Sequence, residues 1–171
     1  MPLRKPGEDA KLAKSRKKSI DKLKQVTPAL KKNEIEYVVK TYFQYDERLK
    51  KQFYVISLFT VKEFSSLHYE ISVDVQKKKN EIDISVLGLN TVQTYYLEAK
   101  NAYKHILFED LYGQHVISLL KQDGSINSYI VEYNIFKKQI TLVESILPKK
   151  QNNRIFSTFE VAQELFTFPG E

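Results

Sequence analysis

Residues 53–61 (Phe-Tyr-Val-Ile-Ser-Leu-Phe-Thr-Val) are apolar on both parities. In an extended chain successive side chains point to opposite faces, so both faces of this segment need cover. That requirement limits the architecture more than any other stretch of the chain. It marks 53–61 as a central strand and favours two packed sheets over a closed barrel.

The segments around it read as further strands. In 35–45, Ile35, Tyr37, Val39, Phe43 and Tyr45 share one parity. The cleanest alternation is 67–75, where Leu67, Tyr69, Ile71, Val73 and Val75 face one way and His68, Glu70, Ser72 and Asp74 the other. Lys77-Lys78-Lys79-Asn80 makes a polar turn, and Ile82, Ile84 and Val86 return from it, which describes a hairpin with one wet face. Residues 88–102 read as an irregular crossover holding a short strand at 92–97, or as a helical turn. Strands follow at 104–109, 114–121 and 127–136. Asp123-Gly124 between the last two is the strongest tight-turn signal in the chain. Phe136-Lys137-Lys138-Gln139 turns into a final strand at 139–144, and 148–153 is a polar loop. Val161, Ala162, Leu165 and Phe166 fall on one side of a short helix expected over 158–166.

Seven or eight strands joined mostly by tight turns, with helices only at the ends, define a mainly β protein. The expected fold is an antiparallel β-sandwich-like domain over 34–145, with a basic, partly helical N-terminal arm (1–33) and a C-terminal loop and short helix (146–171).

Charge is distributed unevenly. Residues 1–33 hold eleven basic residues against three acidic ones, a surplus of eight, whereas the whole chain has 27 against 21, a surplus of six. Residues 34–171 are therefore left with 16 against 18. The high isoelectric point belongs to the arm, and the partition argues against a basic face on the folded body. From Glu8 to Val26 the arm reads as a helix, acidic in its first turn and basic beyond, with a thin apolar stripe of Leu12, Ala13, Ile20, Leu23 and Val26. Thr27-Pro28 ends or bends it. Arg4, Lys5, Lys14, Arg16, Lys17, Lys18, Lys22 and Lys24 are the candidate contacts to nucleic acid or to an acidic partner.

At 171 residues a single domain is the default. The absence of cysteine excludes disulfides, thiolate zinc sites and a cysteine nucleophile. No run of 18 apolar residues marks a transmembrane helix, and no apolar stretch follows the basic start as in a signal peptide. The expected location is cytoplasmic.

Catalytic constellations are sparse. His68 falls on the polar face of its strand, and His105 and His115 flank the turn at Tyr112-Gly113 without facing each other, so metal ligation by the pair is disfavoured. Glu109 and Asp110 are adjacent on a strand, point to opposite faces, and read as the polar entrance to a turn. Glu98 and Asp123 are separate in sequence. The five glycines stand singly at 7, 88, 113, 124 and 170, which excludes a GxGxxG or Walker-type loop. No Gly-x-Ser-x-Gly elbow occurs. Tyr95, Tyr96, Lys100, Tyr103 and Lys104 mix rings with lysines as a stacking surface does, but strand aromatics more often fill cores.

These readings lead to a non-catalytic protein-interaction or assembly module, with an enzyme as the minority reading and no cofactor or metal expected. Its arm would contact an acidic protein or another copy, and sheet-edge pairing offers a second contact. The alternative is nucleic-acid binding through the arm's phosphate contacts. An anionic membrane surface is a further partner for the arm. A third class is a small-ligand-binding or hydrolytic β domain.

Overall fold

Strands account for most of the structure, and all of them join one sheet. The computed structural model describes residues 33–65, 67–92, 98–147, 149 and 154–170. The chain divides into Met1–Lys32 and Asn33–Glu171, and every described residue lies in the second unit. The helix expected within the N-terminal arm and the strand considered at 92–97 fall wholly or largely outside the described residues.

The elements are β1 (Tyr37–Asp46), β2 (Lys51–Phe64), β3 (His68–Lys78), β4 (Glu81–Val92), β5 (Lys100–Phe108), β6 (Gly113–Lys121), β7 (Ile126–Asn134), β8 (Gln139–Ile146) and β9 (Ser157–Val161). Their order across the sheet is β8-β7-β6-β4-β3-β5-β2-β1-β9. Five neighbouring pairs are antiparallel; β1–β9, β3–β5 and β4–β6 are parallel.

The expected sandwich is therefore corrected to a single mixed sheet that curls into a nearly closed barrel. The two-sided apolar character of β2 does not come from a second sheet. Its even residues Tyr54, Ile56 and Leu58 face the barrel core. On the other face Val55 and Ser57 are also fully buried, and the ladder places Val55 between Tyr42 and Leu107, and Ser57 between Lys40 and His105. Large neighbours on adjacent strands flank these smaller side chains. The C-terminal helix is corrected as well. Residues 157–161 form β9, pairing with β1, and only Gln163–Leu165 make a single 3₁₀ turn. Thr158 and Phe159 serve a strand because β1 offers a free edge there.

β8 and β9 are the two outer strands of the sheet and share no ladder. Side chains close the gap. Asn127 Oδ1 on β7 accepts from the backbone N–H of Phe156 (2.9 Å) and Ser157 (3.0 Å) and from the Ser157 hydroxyl (3.0 Å). Its Nδ2 donates to the Arg154 carbonyl at 2.8 Å. Tyr129 donates its hydroxyl to the Ser157 carbonyl at 2.8 Å. Inside, Phe43, Tyr54 and Tyr133 meet edge to face, with ring centroids 5.3 and 5.8 Å apart. Phe166 and Phe168 pack onto Phe43 beyond β9.

Candidate binding rim

Strand direction decides what meets at each end. From the pairings, β1, β3, β5 and β7 all run the same way, so the connections β1–β2, β3–β4, β5–β6 and β7–β8 all emerge at one end of the barrel. Three of them are tight hairpins. The fourth, 109–112, must cross from β5 to β6 past the β3–β4 hairpin. It does so by burying Leu111 completely in the core and leaving Tyr112 outside.

That loop ties the other three turns together. Lys51 at the start of β2 pairs with Glu109 at 3.2 Å. Lys77 donates to the Asp110 carbonyl at 2.8 Å and lies over the Phe108 ring. Tyr112 meets Phe136 of the β7–β8 turn edge to face, with centroids 5.9 Å apart. The result is a continuous rim made of 47–50, 77–80, 109–112 and 135–138.

The composition of this rim was hidden by averaging. These four segments carry seven basic residues (Arg48, Lys50, Lys77, Lys78, Lys79, Lys137, Lys138) against three acidic ones (Glu47, Glu109, Asp110). The rest of 34–171 must then hold nine against fifteen. A near-neutral total thus conceals a basic end, and the partition of charge by sequence could not reveal it. Large apolar side chains stand out at the same turns: Phe136 is 85% exposed, Leu49 62% and Tyr112 58%.

Backbone geometry adds a third feature. Lys50, Lys79 and Lys138 have φ of 51°, 37° and 52°, the left-handed region in which a β-carbon is crowded. Each sits at a hairpin of this rim. At the opposite end the β6–β7 hairpin meets the same demand with Gly124, φ 86°. Lysine occupies positions at the rim where glycine or asparagine would fit with less strain.

The other candidates lie elsewhere. Arg4, Lys5, Lys14, Arg16, Lys17, Lys18, Lys22 and Lys24 fall outside the described residues, as do Tyr95 and Tyr96. Tyr103 is on the outer face of β5 against His105, while Lys104 pairs with Glu70, so these residues do not form one basic stacking surface. His115 points inward and packs edge to face on Tyr133. Burial holds its pKa below the ordinary value; the Gly113 carbonyl opposes this. His105 lies on the outer face, also with a lowered pKa, from burial first and then the Lys104 charge. The two histidines are therefore on opposite faces of the sheet. Among the described residues no group of three or more His, Asp or Glu is placed to hold a metal ion.

One pairing was not foreseen from sequence. Ser57 Oγ lies 2.7 Å from His105 Nδ1 and donates to the Tyr42 hydroxyl at 3.3 Å. A serine beside a histidine suggests a nucleophile and its base, yet Ser57 is fully buried, with no room for a reacting carbonyl at its oxygen. The 48-residue separation left no local signal.

At the other end, Glu36 binds both Lys121 and Arg154, and Arg154 also reaches Asp123 at 3.4 Å. This network joins the β6–β7 turn to the segments leading into β1 and β9. Burial works against the Asp123 charge, but the Ser125 N–H and hydroxyl, Lys121 and Arg154 prevail and lower its pKa.

Comparison with protein-family models, curated proteins and solved structures finds no match for this chain. Among the described residues no helix is long and apolar enough to cross a membrane.

Proposed function

We propose that the protein is a non-catalytic interaction or assembly module that holds an anionic partner. The observation behind this reading is the rim, where seven basic residues and three exposed apolar side chains gather on four turns and the adjoining end of β3, with Glu81 opposite Lys78. Arg48, Lys50, Lys78, Lys79 and Lys137 are exposed there and take part in none of the ion pairs found among the described residues. Basic side chains outside any ion pair are available to an outside anion. The arm, with its surplus of eight charges, adds a second cationic element for the same kind of partner.

Nucleic-acid binding through Arg4, Lys5, Lys14, Arg16, Lys17, Lys18, Lys22 and Lys24 is the second reading, supported by that surplus alone. The test is a titration of the full chain with polyglutamate, labelled duplex DNA, single-stranded RNA and anionic vesicles, at about 50 and about 200 mM salt. The parent is compared with a Lys50→Glu/Lys79→Glu/Lys137→Glu variant and with one carrying glutamine at Lys14, Arg16, Lys17 and Lys18. Salt-sensitive binding lost in the rim variant supports the module reading. Binding to nucleic acid lost only in the arm variant supports the second reading. Absence of binding to every anion overturns both.

A further inference from the structure

The rim also indicates which anionic partner fits it. Building on the module reading, we infer that this end of the barrel docks on the surface of an anionic lipid bilayer, with Phe136 and Leu49 entering the headgroup region and the lysines around them contacting lipid phosphates and carboxylates.

Three observations converge on a bilayer. First, charge and apolar surface alternate at the same turns. Leu49 stands between Arg48 and Lys50, and Phe136 is followed by Lys137 and Lys138. A partner must therefore offer anions and an apolar medium within a few ångströms of each other, as the interface of an anionic membrane does.

Second, the apolar groups are projections. Leu49 and Phe136 sit on separate hairpin turns, each largely exposed. A rigid protein partner would need a matching pit for each, whereas a fluid interface accommodates separated protrusions. Nucleic acid is disfavoured by Leu49, which has no ring to stack on a base, although Tyr112 and Phe136 do.

Third, the turns are braced. The Lys51–Glu109 ion pair, the Lys77–Asp110 hydrogen bond and the Tyr112–Phe136 ring contact hold them to the 109–112 loop, which Leu111 anchors in the core. Lys138 lies over the Phe168 ring at 4.5 Å, fixing the β7–β8 turn to the C-terminal segment. Projections fixed in advance lose little conformational freedom on docking. The left-handed lysines at positions 50, 79 and 138 keep positive charge at turns where glycine would be less strained.

The chain contains no tryptophan, so Phe136→Trp introduces a single fluorescent reporter at the most exposed tip. The full chain carrying this substitution is mixed with vesicles of phosphatidylcholine alone, and with vesicles that also contain phosphatidylserine. Emission is expected to shift to the blue, and to be quenched by brominated acyl chains, only with the anionic vesicles. In co-sedimentation, Leu49→Ser/Phe136→Ser should weaken binding by roughly tenfold or more. Each of Lys50→Gln, Lys79→Gln and Lys137→Gln should weaken it by about fivefold. The arm variant with glutamine at Lys14, Arg16, Lys17 and Lys18, combined with the Phe136→Trp reporter, should still show the blue shift. Vesicle binding that leaves the reporter's emission unchanged, or that the rim substitutions do not affect, overturns the inference. If polyglutamate or duplex DNA binds through the rim and vesicles do not, the bilayer inference falls while the module reading stands.

Discussion

Tyr133 on β7 donates its hydroxyl to Thr41 Oγ1 on β1 across the barrel interior, at 2.9 Å. The direction is fixed because Thr41 gives its own proton to the Val55 carbonyl at 3.0 Å. Both residues are fully buried and 92 positions apart. Burial drives the Tyr133 pKa up, with the Thr41 bond opposing, so the phenol stays protonated and available to donate. One interior hydrogen bond thus spans strands from opposite halves of the sheet.

The two partners of this bond should respond unequally. Tyr133→Phe removes the donor and leaves Thr41 bound to Val55, at a cost of about 1 kcal/mol. Thr41→Val strands the Tyr133 hydroxyl without its partner and should cost about 2–3 kcal/mol. The double variant should be less destabilised than the sum of the two. Urea denaturation of all four proteins measures the coupling, and strict additivity would show that the bond contributes nothing.

Asn127 holds the segment leading into β9 through four hydrogen bonds. Asn127→Ala leaves the N–H groups of Phe156 and Ser157 without an acceptor and should destabilise by about 3 kcal/mol. Because β9 is an outer strand attached by one ladder, hydrogen-exchange protection over 157–161 should fall before that of β6. Equal loss across the sheet would argue that the seam has no separate role.

His105 and His115 both have lowered pKa values in the fold. At pH 7 both are largely neutral, folded or unfolded. As pH falls below the unfolded value of about 6.5, the unfolded chain takes up protons that the folded chain resists, so stability declines. It should be steady above about pH 7 and decrease between about pH 6.5 and 5. His115→Gln should flatten part of that slope. A denaturation midpoint that does not change between about pH 7.5 and 5.5 would contradict the prediction.

Glycine and lysine at left-handed turn positions should respond in opposite senses. Gly124→Ala meets no neighbouring atom, so its effect comes from the backbone alone and should destabilise by about 1 kcal/mol. Lys50→Gly and Lys79→Gly relieve the same crowding and should each stabilise by about 0.5 kcal/mol, after the extra chain entropy of glycine is deducted. Calorimetric midpoints test the signs. A lysine-to-glycine variant that is more stable, yet weaker on anionic vesicles than the matching lysine-to-glutamine variant, would show that the rim retains strain for binding.

Much of the strand pattern was legible because alternation is a local property. Segments 35–45, 67–75 and 114–121, for example, match β1, β3 and β6 closely, since each turns every second residue toward the core on its own. Asp123-Gly124 marked its hairpin because the φ required there is a property of one residue. The final strand was harder to read. Val161, Ala162, Leu165 and Phe166 fit a helical face, and only the vacant edge of β1 selects the extended form.

Residue order along the chain was enough to establish that the body is built of strands, that positive charge is concentrated in residues 1–33, and that it lacks cysteine chemistry and a glycine phosphate loop. The curling of one sheet on itself, where two were expected, came from the folded arrangement, because strand order depends on contacts such as Thr41 with Tyr133, which leave no periodic trace. The same arrangement puts Lys50, Lys79, Tyr112 and Phe136, spread over 87 positions of chain, on one rim. Charge summed along a chain is blind to that grouping, since the end at which a turn emerges is set by the direction of its strands.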